Sequence, residues 1–250
     1  MKNRTDFPLS PQSATNARRS EPGLAPALRK LHALSDLDQI AVNALNASIR
    51  SSVRRQARSE LFVEGQLLEG AFLLVKGWAA RVRYLRDGRR QILSLLIPGD
   101  LIGAWSHDGG SATSTVVTLT DVSVCHAPSG DVSPSLRQAY AMSSAIDEVC
   151  LLSQITRLGR LNALEKLCDL MLELHERLEL IDEVRGGTFD FPLTQQTLGD
   201  VLGLTAVHVN RTAQNARHAD LLEWKGQQVH IKDPKGLSAF VDRTPIQVIV

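Results

Sequence analysis

Between Leu198 and Trp224 the chain reads LGDVLGLTAVHVNRTAQNARHADLLEW. His208, Asn210, Arg211, Arg217 and His218 fall in this stretch, and no Asp or Glu occurs from Thr205 to Ala219. These side chains suit the recognition of a polyanion that also displays hydrogen-bonding edges. Arginine donates two parallel hydrogen bonds to O6 and N7 of guanine, and asparagine pairs with adenine or holds a phosphate. Threonine hydroxyls and helix N-terminal amides suit phosphate oxygens, which brings in Thr194 and Thr205. A carboxylate on such a face would repel the phosphates. The competing use of the same residues is a solvated helix surface with no ligand.

The elements that must position these residues are legible around them. Thr194 is placed to cap a helix over TQQTLGDVLG, with Leu198, Val201 and Leu202 as its buried stripe. Gly203 stands where a left-handed glycine ends a helix, and Leu204 fills the turn. Thr205 caps a second helix that runs to about Ala219. Val209, Ala213 and Ala216 recur at helical spacing and point inward, leaving His208 and Arg211 outside. LLEW and QVHI then read as two short strands around Lys225-Gly226. Helix, turn, helix and wing in that order form a winged-helix DNA reader.

The remaining sequence supplies two further textures. Residues 1–23, rich in Pro, Ser, Asn and Arg, read as a flexible arm. A short helix spans Leu24–Leu34, and Ser35 is placed to cap another, with Asp36 and Asp38 in its first turn. From about Ser59 short apolar or alternating runs are cut by glycine. Asp87-Gly88, between RVRYL and RRQILSLLI, marks a hairpin. Strands without intervening helices predict a sandwich or barrel. From Ser133 the pattern turns helical for almost fifty residues, with Gly159 expected to divide two helices. Met142, Ile146 and Val149 share one face of the first, a stripe that predicts dimerisation.

Composition narrows the function classes. The net charge of +1 argues against an indiscriminate nucleic-acid coat and allows one local basic face. No apolar run is long enough to span a membrane, and residues 1–22 hold no signal-like apolar block. Three widely spaced cysteines, Cys125, Cys150 and Cys168, predict free thiols in a reducing compartment, the cytoplasm. They lack zinc-site spacing and fall one ligand short of a four-cysteine cluster, so no metal is expected. A β-domain enzyme of the metal-cupin kind would need clustered histidines, but His107 is followed by Asp108 and Gly109. No catalytic residue is therefore assigned.

The whole layout resembles the Crp–Fnr superfamily of bacterial transcription regulators over about residues 24–240. The motifs are GWAARVRYLRDGRRQILSLLIPGDLIG and LTQQTLGDVLGLTAVHVNRTAQNARHADLLEW. The resemblance implies an α+β chain: the arm, a cyclic-nucleotide-binding-like β jelly-roll sensor over 24–132, a dimerisation helix over 133–159, and a winged helix-turn-helix over 160–242. It implies a homodimer with one reader per half of an inverted repeat, and RNA polymerase as a further partner where the protein activates. By resemblance Arg211 contacts guanine and Thr205 contacts phosphate. Val207 stands where many members carry a base-reading glutamate, and Asn210 replaces the serine of the oxygen-responsive branch. Val207 could meet a thymine methyl, with His208 and Asn210 as extra readers. Ala213 and Ala216 replace leucines, for which Trp224 should compensate, and Asp220 occupies a glycine-like position.

The sensor's ligand is argued by chemistry. The cyclic-nucleotide branch holds ribose with a glutamate and the cyclic phosphate with an arginine. Here Ala104 and Ala112 occupy those places, and no Arg or Lys occurs from Gly99 to Val124. A buried phosphate would lack a cation, so no cyclic nucleotide and no cofactor are expected. The alternative is an unidentified small effector, or haem on His107, His126 or Cys125. Arg81, Arg83, Arg86, Arg89 and Arg90 flank the hairpin turn. They fit a solvated hairpin, or a contact with polymerase, the reader or an anionic effector.

Overall fold

The computed structural model describes residues 25–103 and 110–246. The arm at 1–23, Ala104 and His107 lie outside the described residues. Helix α1 (Pro26–Leu34) begins with Pro26, whose missing N–H has no helical partner to lose there. Ser35 does not cap a second helix as expected. It ends α1, its N–H donating to the Leu31 carbonyl, and Asp38 caps α2 (Gln39–Arg50) by accepting from the Ala41 N–H at 2.8 Å. Leu37, between the two, is buried with Leu28 and Leu45.

The sensor strands form two four-stranded antiparallel sheets. One has the order β1 (Val53–Arg55), β10 (Val122–His126), β4 (Phe72–Lys76), β7 (Leu101–Ile102). The other has the order β2 (Glu60–Phe62), β9 (Thr115–Thr118), β5 (Ala79–Tyr84), β6 (Arg90–Leu96). Two short strands, β3 (Leu67–Leu68) and β8 (Gly110–Ser111), pair separately. Neighbours distant in sequence give the roll-like winding expected of this domain. The Asp87-Gly88 hairpin joins β5 to β6, with Gly88 at φ +83°. Phe62, Leu68, Leu74, Leu96, Ile102 and Val116 fill the roll as one apolar cluster.

Helix α3 (Pro134–Arg160) starts on Ser133, whose hydroxyl accepts from the Ser135 and Leu136 amides. Gly159 does not divide the helices; it lies within the last turn of α3. The break comes at Leu161, in extended conformation, and Asn162 opens α4 (Ala163–Glu179) with Glu165 in a reciprocal capping box. Local hydrogen bonding at Asn162 therefore outweighs the weak helix-breaking tendency of a glycine.

The expected dimer stripe is also corrected. Ile146 is only 5% exposed, packed with Leu34 and Cys150, and Met142 packs beside it. Helix α1 covers this face from the same chain, which periodicity alone could not reveal. Val149 does stay outside, and the exposed apolar side continues through Leu152 and Ile155.

A buried chain of charge ties the parts together. The Asp100 carboxylate, in the Pro-Gly-Asp turn after β6, accepts from Lys30 of α1, from the Ile97 N–H at 2.7 Å and from Arg177 of α4 at 2.6 Å. Arg177 also meets Glu173 at 3.4 Å, and Glu173 accepts from Arg157 of α3 at 2.7 Å. Arg157 reaches Asp169, which Arg243 approaches from the far end of the chain at 3.1 Å. Burial alone would raise the Asp100 carboxyl, but the Lys30 ammonium and the Arg177 guanidinium hold it below its ordinary value. Glu173 is likewise lowered, burial being outweighed by Arg157 and Arg177.

Removing one member of such a network strands its partners, at a cost of about 3–5 kcal/mol. Asp100→Ala should lower the free energy of unfolding by about that amount in urea titrations. Because the folded carboxyls are depressed, their stabilisation is complete above the ordinary carboxylate range near pH ~4 and is lost as pH falls through the folded values. Stability followed by denaturant midpoint should thus decline steeply on acidification below about pH 4, and less steeply in the Asp100→Ala variant.

Candidate nucleic-acid interface

The reader begins with α4 and continues through β11 (Thr188–Asp190), α5 (Gln195–Leu202) and α6 (Ala206–His218). It ends with β12 (Glu223–Lys225), β13 (Gln228–His230) and α7 (Pro234–Phe240). The wing is a three-stranded sheet in the order β11-β13-β12. Its first strand pairs Phe189 with Val229. That pairing spans 40 residues of sequence, so local pattern does not announce it.

The two-helix turn is built as its residue types require. Thr194 accepts from the Thr197 N–H at 3.1 Å and caps α5. Gly203 adopts φ +66°, ψ +37° and closes it. Gly199 has a second reason to lack a side chain, since a Cβ there would stand 2.5 Å from the Leu204 carbonyl oxygen. Thr205 then caps α6, accepting from the His208 N–H at 3.2 Å. Asp220 takes φ +55° after α6, the left-handed turn expected at its position.

Helix α6 buries Val209, Thr212 and Ala216, and Ala213 is partly covered. Thr212 was not among the expected inward residues; its hydroxyl is satisfied within the helix by the His208 carbonyl at 2.8 Å. Trp224 packs against the same large apolar cluster as Ala213 and Ala216, edge-on to Phe191 with centroids 5.4 Å apart. The opposite face presents Val207, Asn210, Arg211, Gln214 and Arg217 to solvent. Val207 is 82% exposed, a large apolar side chain left in water at the start of a recognition-type helix. His208 is half-buried and lies to one side. Gln214 is the member that residue-type reasoning passed over. It lies seven residues after Val207, and its amide donates to the Asn210 side chain at 3.3 Å. Helical spacing from Val207 and Asn210 would have found it. Thr194 and Thr205 are exposed at the N-termini of the two helices.

The hairpin arginines resolve into separate roles. Arg81 bonds Asp147 of α3 at 2.8 Å, Arg83 pairs with Glu64 at 3.1 Å, and Arg89 folds back on Asp87 at 2.7 Å. Arg90 joins the reader, meeting Asp200 of α5 at 2.7 Å. Arg86 is exposed near the tip. Of the alternatives open for this cluster, contact with the reader is thus made by Arg90.

Among its described residues the β-roll offers little for a charged ligand. Ala112, in the expected place of a phosphate-binding arginine, is 7% exposed inside the apolar cluster. His126 packs at a tilt against Phe72, centroids 4.2 Å apart, and Phe72 likewise against Phe62 at 4.7 Å. Burial pushes the Cys125 thiol up to about 11, which disfavours thiolate ligation near neutral pH. Among the described residues no group of three His, Cys, Asp or Glu side chains could hold a metal ion. No helix among them is long and apolar enough to cross a membrane.

Comparison with known proteins agrees with this geometry. Residues 165–240 match the family described as the Crp-like helix-turn-helix domain, and residues 53–138 match the cyclic nucleotide-binding domain. The transcriptional activatory protein AadR of Rhodopseudomonas palustris is 28% identical over 194 residues, covering 75% of this chain and 80% of its own. A CRP-like cAMP-activated global transcriptional regulator of Mycobacterium tuberculosis is 27% identical over 190 residues, covering 71% and 82%. The solved structure of FixK2 from Bradyrhizobium japonicum superimposes with a TM-score of 0.64 at 23% identity, covering 76% of this chain and 96% of its own. With the sensor, the long helix and the reader in this order, the chain belongs to the Crp–Fnr family of transcription regulators and carries that family's helix-turn-helix DNA-binding domain.

Proposed function

We propose that the protein acts as a homodimer that reads an inverted-repeat operator, with α6 of each copy in the major groove. The observation that carries this reading is the outer face of α6, where Val207, Asn210, Arg211 and Gln214 are exposed together on a helix free of acids. Arg211 is the guanine reader and Asn210 an adenine or phosphate partner. Val207 meets a thymine methyl in place of an acidic reader, so the half-site differs from those read through a glutamate. Thr194, Thr205 and Arg217 hold phosphates, and His208 reaches the groove edge. The two-fold axis of the dimer matches that of the operator.

Dimerisation is assigned to the side of α3 that carries Val149, Leu152 and Ile155. Leu152 is 56% and Ile155 67% exposed, on a helix whose opposite side is already packed. Control by cyclic nucleotide is not expected, because the roll is filled by apolar side chains and its phosphate position holds Ala112. The alternative, a regulator with some other small effector or haem, draws support from no cluster of polar or ligating groups among the described residues. If the protein activates, RNA polymerase is its further partner.

Selection of bound sites from random DNA, with and without cyclic AMP, tests the reading. A palindromic consensus unchanged by the nucleotide is expected, and enrichment of no sequence would refute it. Arg211→Ala should cost about 1–3 kcal/mol in operator affinity and relax preference at one base pair per half-site. Leu152→Glu with Ile155→Glu should yield a folded monomer by sedimentation. That monomer should lose most affinity for the full palindrome while retaining weak, salt-sensitive DNA binding.

A further inference from the structure

The first helix of the helix-turn-helix, α5, ends on donors that its own segment does not supply. The last carbonyls of an α-helix lack intrahelical partners and carry partial negative charge. In α5 the Gly199 carbonyl is satisfied inside the turn, by the Gly203 N–H and by the Leu204 N–H at 3.0 Å. The next two are satisfied from elsewhere. The Gln91 side-chain amide donates to the Asp200 carbonyl at 2.8 Å and lies 3.2 Å from that of Val201. The Gln154 amide donates to the Val201 carbonyl at 2.7 Å. Gln91 belongs to β6 of the sensor and Gln154 to α3. Beside them Arg90 holds the Asp200 carboxylate.

We propose that Gln91 and Gln154 are positioning residues for DNA reading. By closing the end of α5 from outside the reader, they set the angle at which α5 and α6 leave the body of the protein. Through that angle they set the separation of the half-sites a dimer accepts. The separation depends on the inverted-repeat reading above; the angle does not.

The lever is short. The capped carbonyls lie within three residues of Gly203, and the turn is held by the close approach of Gly199 to Leu204 and by the Thr205 cap. A tilt of α5 therefore carries α6 with it. Gln154 is itself held by Arg157, so the second amide is anchored in the buried charge network. The Gln91 amide nitrogen has two hydrogens and no lone pair, and these are shared among the carbonyls of Asp200, Val201 and its own neighbour Ile92, the last at 2.9 Å. A carboxylate of the same length would present only oxygen to oxygen.

The test compares Gln91→Glu with Gln91→Lys, which are similar in length but opposite in what they offer the carbonyls. Spin labels on Gln56→Cys and Lys235→Cys, both exposed, report the sensor-to-reader distance in the free protein. The native cysteines are buried with thiols pushed up to about 11 or 12, so labelling stays at the introduced sites. Unlabelled protein in excess leaves one labelled chain per dimer. A second readout is affinity for the selected palindrome against the same site with base pairs inserted between its halves.

The expected result is a broadened or displaced distance distribution for Gln91→Glu, with preference for the native spacing reduced about tenfold or more and half-site base preference kept. Gln91→Lys should keep both the wild-type distribution and the wild-type spacing preference. Identical behaviour of the two variants, or a Gln91→Glu distribution like wild type, overturns the proposal. If the wild type shows no spacing preference, the inverted-repeat reading and the half-site role fall together, and the distance data alone decide the angular role. Should Gln91→Glu not fold, Gln91→Leu, which offers neither donor nor charge, is compared with Gln91→Lys by the same criteria.

Discussion

One carboxylate joins the parts of this molecule. Asp100 sits in the turn that follows β6, and its oxygens are shared by Lys30 from α1 and Arg177 from α4. All three side chains are almost wholly buried. A charge in such a place is tolerated only when opposite charge and hydrogen bonds replace the water it lost. The turn, the first helix and the root of the reader must therefore meet in one arrangement. The same demand passes on through Glu173, Arg157, Asp169 and Arg243. Such a network specifies geometry more than it stabilises, since well-packed apolar residues of similar volume are often as stable or more so.

Around this network the reader is fastened by independent contacts of other kinds. Trp78 of the sensor lies edge-on to Phe191 at 6.1 Å, and Phe191 edge-on to Trp224 of the wing at 5.4 Å. Apolar residues of β5 and β6 share one cluster with α4, α5 and α6. Arg90, Gln91 and Gln154 add directional bonds at the end of α5. Apolar burial supplies most of the free energy, while the polar groups determine which of several packings is accepted. The outer face of α6 is left open by this docking, and its only large apolar member, Val207, remains in solvent.

Helix α3 shows how one element serves two demands. Its inward stripe, from Leu136 to Gln154 and Arg157, is committed to its own chain. Its outward side carries Val149, Leu152 and Ile155, which no part of the described chain covers. A helix apolar on two sides has a weak overall pattern, and this is why Met142 and Ile146 look like interface residues in the sequence although α1 already covers them.

Much of the protein was legible without coordinates because the governing physics is local. Caps at Thr194 and Thr205, the left-handed Gly203, the Asp87-Gly88 hairpin and the acid-free face of α6 each depend on residues a few positions apart. Periodicity was enough to place the strands, the long helix and the reader in order, and the motifs then implied the family. Local reading failed where two local signals competed, as at Ser35 against Asp38 and at Gly159 against Asn162. It failed also for β11, whose partner lies far along the chain. Tertiary structure alone decided the pairings across 70 residues or more: Lys30 and Arg177 on Asp100, and Arg90 and Gln91 on the end of α5. Sequence shows which charges and amides exist, but burial and distance select their partners, and those are set only once the chain is folded.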